Sequence, residues 1–491
     1  VGSGFWNARF WRLNFSSWAR GGQVGPGETR QDGRPEEPMS VQEAAATPAG
    51  AVEIGGVRWL VLALIFIVYT AAYADRANIG IALPYIKAEF RLSNTETGLI
   101  VSLFSWAYAA SQIPSAFLVR RLGVRTMVPA CMVVASAITA GIGLAGSAIG
   151  FKIGRLALGV VEAPLGVSMM TAINNWFPPR EKGTAAGAFL AASKFGPVLV
   201  PPIGAMIILS LSWHWVFLLF AIPGLLFAVV WRLLVANDPA QSRFVGPEEL
   251  AHIRSEDGPV GDRAAQRRRP MPRLDRLIRA RPVIPISTAR GVFRSWNIWG
   301  ASAGYFFLQG IVGVILGWLP TYLVEVKKFA VLGVGFVSAA PFAGAVIGNI
   351  LGGWISDRLF DKRRKPTMMI TCASTVVMMY ALTQAPDDAV LLAGLLFVTG
   401  VMLSVGYSAY AIYPSRLTAK SVFPLATAAS NTGGQLGGAV LPLVTGMILD
   451  RYSWDHVFAF LAAGCVVALA LLFTIIEPIE ADSSETPNAS I

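Results

Sequence analysis

Apolar residues in this chain gather into twelve segments, most of them close to the roughly 20 residues that a helix needs to cross a hydrocarbon layer. This pattern limits the fold more than any other feature. The segments run near residues 59–83, 94–118, 125–145, 148–172, 184–208 and 213–235, then near 297–323, 332–355, 366–384, 388–413, 420–448 and 455–477. In lipid, a spanning segment must satisfy its own backbone polar groups, so runs of this length are expected as helices. Composition agrees. With 54% hydrophobic and only 14% charged residues, the chain has too little charge to cover a soluble domain of 491 residues. The mean hydropathy is +0.56. The expected class is an all-α polytopic membrane protein, with 12 transmembrane helices in two six-helix bundles at 58–235 and 296–480.

A polar, basic stretch at 236–295 divides the spans six and six. It carries Arg267, Arg268 and Arg269, with Arg273, Arg276, Arg279 and Arg281 following. These arginines need no partner beyond water and lipid headgroups, so a cytoplasmic linker is expected and no nucleic acid. The net charge of +11 lies mainly between apolar blocks. Arg120, Arg121 and Arg125, then Arg180 and Lys182, then Arg358 and Lys362 to Lys365, then Arg416 and Lys420 mark one side of the membrane. Lys87, Arg91, Lys327, Lys328 and Arg451 form a thinner set on the other. The positive-inside bias with an even number of spans predicts both termini in the cytoplasm. Residues 1–57 are expected as a polar cytoplasmic N-terminal segment and 481–491 as a cytoplasmic tail. The first 38 residues read either as a mis-assigned start upstream of Met39 or as an extension whose Trp and Arg residues touch the membrane. No apolar core before a cleavage site marks a secretory signal.

Cys131, Cys372 and Cys465 all lie in apolar runs and, with three histidines, form no metal-ligand pattern. Trp176, Trp299 and Trp318, near span ends, are expected as interfacial anchors. The glycines within the spans, such as Gly159, Gly204 and Gly348, are expected to let helices approach closely. No glycine-rich phosphate loop with Lys-Ser/Thr is present, so no ATP motor is expected. Neither a metal nor a cofactor is expected, and no enzyme activity.

The chemistry sits in two places where ionisable groups interrupt apolar spans. One is Tyr73-Ala74-Asp75-Arg76-Ala77-Asn78; the other runs from Arg155 to Glu162. Charges at such depth are expected to be paired, hydrated or used. Arg155 and Glu162 are seven positions apart, so they share roughly one helix face about 10 Å apart along the axis. That is too far for a direct ion pair in a regular helix. It suits two neighbouring stations, a permanent cation for an anion and a carboxylate for a proton. A structural pair to another helix is the alternative. Asp75 is a second proton-site candidate. Arg76 is expected either to bind solute or to neutralise Glu162 or Asp75. Tyr73 and Tyr108 offer phenolic donors to a bound carboxylate or hydroxyl, or simply pack. The second half is less charged inside, with Tyr305, Gln309, Ser404, Tyr407, Asn431, Thr432 and Gln435 as its polar candidates.

These motifs resemble the major facilitator superfamily over about residues 55–480. More narrowly, Tyr73 to Asn78 with Gly154-Arg155-Leu156, Glu162-Ala163-Pro164 and Trp176-Phe177-Pro178 resemble its anion:cation symporter branch, which includes bacterial sugar-acid transporters and sialin relatives. The second cytoplasmic signature loop is present at Gly353 to Arg358. In the first copy Arg120 stands where the resemblance expects Asp. The resemblance implies the major facilitator fold and proton-coupled symport of a small organic anion, most simply a sugar acid or related carboxylate. Transport would proceed by alternating access in a bacterial inner membrane, by a functional monomer among membrane lipids. It places Tyr73, Arg76, Tyr108 and Arg155 on a central cavity, with Gln309 and Asn431 as solute contacts. Asp75 and Glu162 are the proton-coupling candidates, and Asp357 and Arg358 are assigned to gating or capping. Sodium-coupled or exchange transport of another organic or inorganic anion remains the alternative.

Overall fold

The structure, a computed structural model, describes residues 56–255, 271–419 and 422–479. The expectations for the N-terminal segment before residue 56, the tail after 479 and the run Arg267 to Arg269 lie outside the described residues.

Twelve long helices are present among the described residues. We number them α1 (Val57–Glu89), α2 (Asn94–Leu122), α3 (Val124–Gly143), α4 (Ala148–Trp176), α5 (Lys182–Ser210), α6 (Trp213–Leu234), α7 (Trp296–Glu325), α8 (Val331–Leu359), α9 (Lys365–Thr383), α10 (Ala389–Leu417), α11 (Phe423–Leu449) and α12 (Trp454–Thr474). All but α2 are apolar enough by composition to cross a membrane. Helix α2 is diluted by Ser102, Ser105, Ser111, Gln112 and Ser115 along its length. It packs on α4 of its own half and on α11 of the other.

Local signals set the helix ends. Ser93 caps α2 by accepting from the Glu96 N–H at 3.1 Å, while the Glu96 carboxylate accepts from the Ser93 N–H at 3.3 Å. Helices α2 and α3 are joined by Gly123 alone, at φ +72, where a side chain would be strained and would also strike Asn237. Pro197, Pro201 and Pro202 lie inside α5, where each removes an N–H from the helix ladder. The last turn of α8, Ile355–Leu359, widens to a π-helix, and α10 is interrupted between Ser404 and Tyr407.

Packing in the second half repeats that of the first, with helix numbers offset by six. In the first half α1 packs on α5 and α6, α2 on α4, and α3 on α4 and α6. In the second, α7 packs on α11 and α12, α8 on α10, and α9 on α10 and α12. The halves meet through α2 with α11, α5 with α8, and α1 with α7. The two-bundle, all-α expectation is met. One small addition is a parallel pair of strands, β1 (Ala280–Pro282) and β2 (Glu477–Ile479).

Its first strand belongs to a linker more structured than its composition suggests. On the first half, the short helix Pro247–Ile253 brings in Glu249, which is buried and accepts from the Arg58 N–H at 3.0 Å. Arg58 also pairs with Glu181 at 2.8 Å, and His252 reaches the same carboxylate at 3.0 Å. Burial works against the Glu181 carboxylate, yet the Arg58 and His252 contacts outweigh it and hold its pKa below the ordinary value. On the second half, Asp275 pairs with Arg363 at 2.6 Å, and Lys365 donates to the Ile278 and Ile475 carbonyls at 2.8 and 2.6 Å. Glu477 accepts from the Arg364 and Lys365 N–H groups at 2.9 and 2.8 Å.

Two tryptophans depart from expectation. Trp176 and Trp318 are wholly buried rather than interfacial, and donate to the Ala236 and Pro442 carbonyls, each at 3.1 Å. Their indole N–H groups find backbone carbonyls of buried residues, Ala236 just past α6 and Pro442 within α11, so the rings serve packing. Trp299 is largely exposed.

The halves are tied at the end where α1 finishes and α2 begins. Lys87 pairs with Glu325 at 2.6 Å. Asp450 accepts from the Asn94 and Thr95 N–H groups at 2.8 and 2.9 Å. Gly80 lies against Leu316, and Gly98 against Pro442, leaving no room for a Cβ. The halves are therefore closed against each other at that end of the molecule.

We expect Asp450→Ala to loosen that closed end. Spin labels at the exposed positions Arg91 and Tyr452 should then show a longer, broader distance distribution; an unchanged one rejects the role. Burial pushes the Asp450 carboxyl up, but hydrogen bonds from Thr95 and Asn94 outweigh it and leave its pKa lowered. Its support for closure is thus complete above the ordinary Asp value of about 3.9 and fades as pH falls through the lowered value.

Candidate functional site

The buried charges of α1 and α4 meet. Arg76 Nε donates to Glu162 Oε2 at 2.7 Å, and both side chains are buried. Proximity in sequence does not create this pair, since 86 residues separate the partners. The Arg76 guanidinium also lies over three rings, 4.4 Å from the centroid of Tyr73, 4.6 Å from Tyr108 and 4.9 Å from Phe104. The negative faces of these rings favour the cation. Of the roles open to Arg76, neutralising Glu162 is the one the geometry displays.

Arg155 lies two turns before Glu162 on the same helix and does not touch it. Its guanidinium shares the Phe104 ring, 4.9 Å from the centroid. Its Nε and Nη1 have no hydrogen-bond partner among the described residues, although the side chain is buried. Glu162 Oε1 and Asp75 Oδ1 are likewise without partners. Asp75 is buried within the electrostatic reach of Glu162, Arg155 and Arg76. Buried polar groups without partners are uncommon and point to a missing occupant such as solvent, ion or ligand.

Between the halves lies a cavity. The first half contributes Tyr73, Arg76 and Arg155, and the second contributes Gln309, Tyr407 and Gln435. Tyr108 stands behind Arg76 and does not reach the lining. Gln309 Oε1 is buried and unpartnered. Asn431 is exposed and does not line this cavity. It lies one turn from Gln435 on the α11 face that also carries Gly438, which in turn faces Ser105 of α2. Asp357 pairs with Arg364 of the same half at 3.0 Å and, with the exposed Arg358, lies far along α8 from the cavity.

Sequence reasoning missed Lys194 and Ser105. Lys194 lies on α5, is buried, lines the cavity, and holds its ammonium 4.3 Å from the Tyr407 ring centroid. The signal was available, because a lysine inside an apolar span carries the same implication as Arg155.

A membrane-embedded polar cavity shared by two repeated helical halves defines a transporter of the alternating-access class. The chain belongs to the Major Facilitator Superfamily, whose model matches residues 65–417 and, in a second match, 329–490. It is therefore a membrane transport protein rather than an enzyme. It is 28% identical to a D-galactonate transporter of Escherichia coli O6:H1, over 86% of this chain and 96% of the relative. It is also 28% identical to the probable galactarate/D-glucarate transporter GudP of Bacillus subtilis, over 90% and 96%. A hexuronate transporter of B. subtilis is 27% identical over 84% and 93%. Among solved structures, a bacterial homologue of the human lysosomal transporter Spinster, inward-facing and occupied, matches with TM-score 0.68 at 16% identity, over 86% of this chain and 97% of that one. A D-xylose-proton symporter matches with TM-score 0.65 at 18% identity, over 86% and 98%. At these identities the two structures speak for the fold.

Removing one member of a buried ion pair strands the other. Glu162→Ala is expected to destabilise the protein by about 3–5 kcal/mol, read as a lowered thermal midpoint in detergent. The double variant Arg76→Met/Glu162→Met should recover most of that loss. Equal stability of the single variant and the native protein would show that the pair is not load-sharing between α1 and α4.

Proposed function

We propose that the protein carries a small organic anion, a sugar acid or related carboxylate, across a bacterial inner membrane together with protons. The observation that carries this reading is the division of the buried cations. Both arginines line the cavity, but Arg76 is paired with Glu162 and keeps only Nη2 unpartnered, whereas Arg155 makes no ion pair and has Nε and Nη1 unused. A planar guanidinium with free donors suits a carboxylate, which it can grip at two oxygens. The sugar acids named for the relatives support the same ligand class.

Arg155 holds the carboxylate. Tyr73 and Gln309 offer hydroxyl and amide groups to the rest of the solute, and Tyr108 and Arg76 shape the wall behind it. Asn431 meets solute on its path from the end opposite the tied one. Glu162 and Asp75 take the coupling proton. When Glu162 is protonated its hold on Arg76 weakens, and Arg76 becomes available to the anion. Loss of the proton restores the pair and repels the solute carboxylate. The tied end faces the periplasm and the opposite end the cytoplasm, with both termini cytoplasmic. Asp357 and Arg358 act at the cytoplasmic end, where the halves close in the opposite state.

Two measurements test this. Arg155→Lys replaces a fork with a point charge and should weaken equilibrium binding of a sugar acid by about tenfold or more. Unchanged affinity in a folded variant removes the contact. Glu162→Gln in proteoliposomes should retain solute exchange while losing accumulation driven by a pH gradient, since an amide cannot titrate. Native accumulation by that variant rejects Glu162 as the coupler. Uptake that needs sodium rather than a pH gradient would favour the sodium-coupled alternative.

A further inference from the structure

Lys194 plays no part in the scheme above, and its surroundings are unlike those of the other buried cations. Arg76 has Glu162, and Arg155 lies in the field of Glu162 and Asp75. No carboxylate among the described residues pairs with or acts on Lys194, and its one charge-related contact is the Tyr407 ring. A buried ammonium without an anion is costly in a membrane interior. It nevertheless faces the same cavity as Arg155.

The two free cations stand on different flanks. Arg155 is on α4, which packs on α2, and it shares the Phe104 ring of α2. Helix α2 is the first-half wall of the α2/α11 seam. Lys194 is on α5, the first-half wall of the α5/α8 seam, and it reaches Tyr407 of the opposite half. A ligand between them meets one positive group toward each seam. Charge counting points the same way. Arg76, Arg155 and Lys194 oppose Asp75 and Glu162; with one acid protonated, the site carries two uncancelled positive charges.

We propose that Lys194 is a specificity-determining residue that receives a second acidic group, so that the solute is a dianion with a carboxylate, or an equivalent acid, at each end. This rests on the organic-anion reading above and narrows it from carboxylates in general to diacids. Arg155 takes one end, Lys194 the other, and Gln309 and Gln435 face the hydroxylated chain between them. The aromatic face of Tyr407 holds the ammonium until the second acid replaces it.

The test compares two probes of equal chain length, galactarate with two carboxylates and D-galactonate with one. Equilibrium binding is measured on the purified full chain in detergent. The native protein should bind galactarate at least about tenfold more tightly, a factor equivalent to about 1.4 kcal/mol. Lys194→Gln should erase that preference by weakening galactarate alone, Lys194→Arg should keep it, and Arg155→Gln should weaken both probes. Equal or tighter binding of galactonate by the native protein overturns the proposal without requiring any variant. So does a Lys194→Gln variant that weakens both probes equally. Failure of the native protein to bind either acid would instead overturn the organic-anion reading itself.

Discussion

Everything at the centre of this molecule depends on the contact between Arg76 and Glu162. An arginine inside the membrane keeps its charge, and the surrounding apolar helices offer no solvent to receive it. One carboxylate oxygen at 2.7 Å and three aromatic faces answer that need. The contact joins α1 to α4, whose main packing partners are otherwise different. It also shapes the chemistry nearby, because Arg76 spends its Nε on Glu162 and keeps only Nη2 unpartnered, whereas Arg155 faces the cavity with both Nε and Nη1 unused.

The outer architecture was legible because lipid imposes a simple demand. Twelve apolar runs had to become helices, and the six-and-six division followed from the polar stretch between Leu234 and Trp296. The buried acids and arginines stood out for the same reason. Their partners did not, since Arg76 and Glu162 meet only after four helices have packed. Lys194 escaped notice among Ser193, Phe195, Gly196 and Pro197, in a segment whose small residues read as close packing. Trp176 and Trp318 were placed at the interface because hydropathy marks span ends but not which side of a helix faces inward. Asn431 and Gln435 differ by one turn, a distinction finer than any span boundary drawn from hydropathy.

Repetition explains how the cavity is made. The offset-by-six packing makes α2 and α8 equivalent, and likewise α5 and α11, so the α2/α11 and α5/α8 seams are two copies of one kind of contact. Small residues set their closeness: Gly98 against Pro442 on one seam, Gly335 against Pro201 on the other. The repeat is not extended to the charged groups. Arg76, Arg155, Glu162 and Lys194 all come from the first half, whereas the second half supplies the neutral Gln309, Tyr407 and Gln435. One half thus sets the electric field and the other presents hydrogen bonds and an aromatic face.

The linker's two ends give the chain a modular character. Glu249 and His252 complete the polar end of the first half, and Asp275 with β1 completes that of the second. Among the described residues, the polypeptide thus passes from first-half to second-half partners between Ser255 and Met271 rather than at either edge of the polar stretch. A gene divided or recombined within that interval would yield two pieces, each keeping the acidic groups that its own basic helix ends require. Exchange of whole halves between related chains is in this sense a permitted evolutionary move, while a crossover inside α6 would separate Glu249 from Arg58 and one inside α7 would separate Asp275 from Arg363.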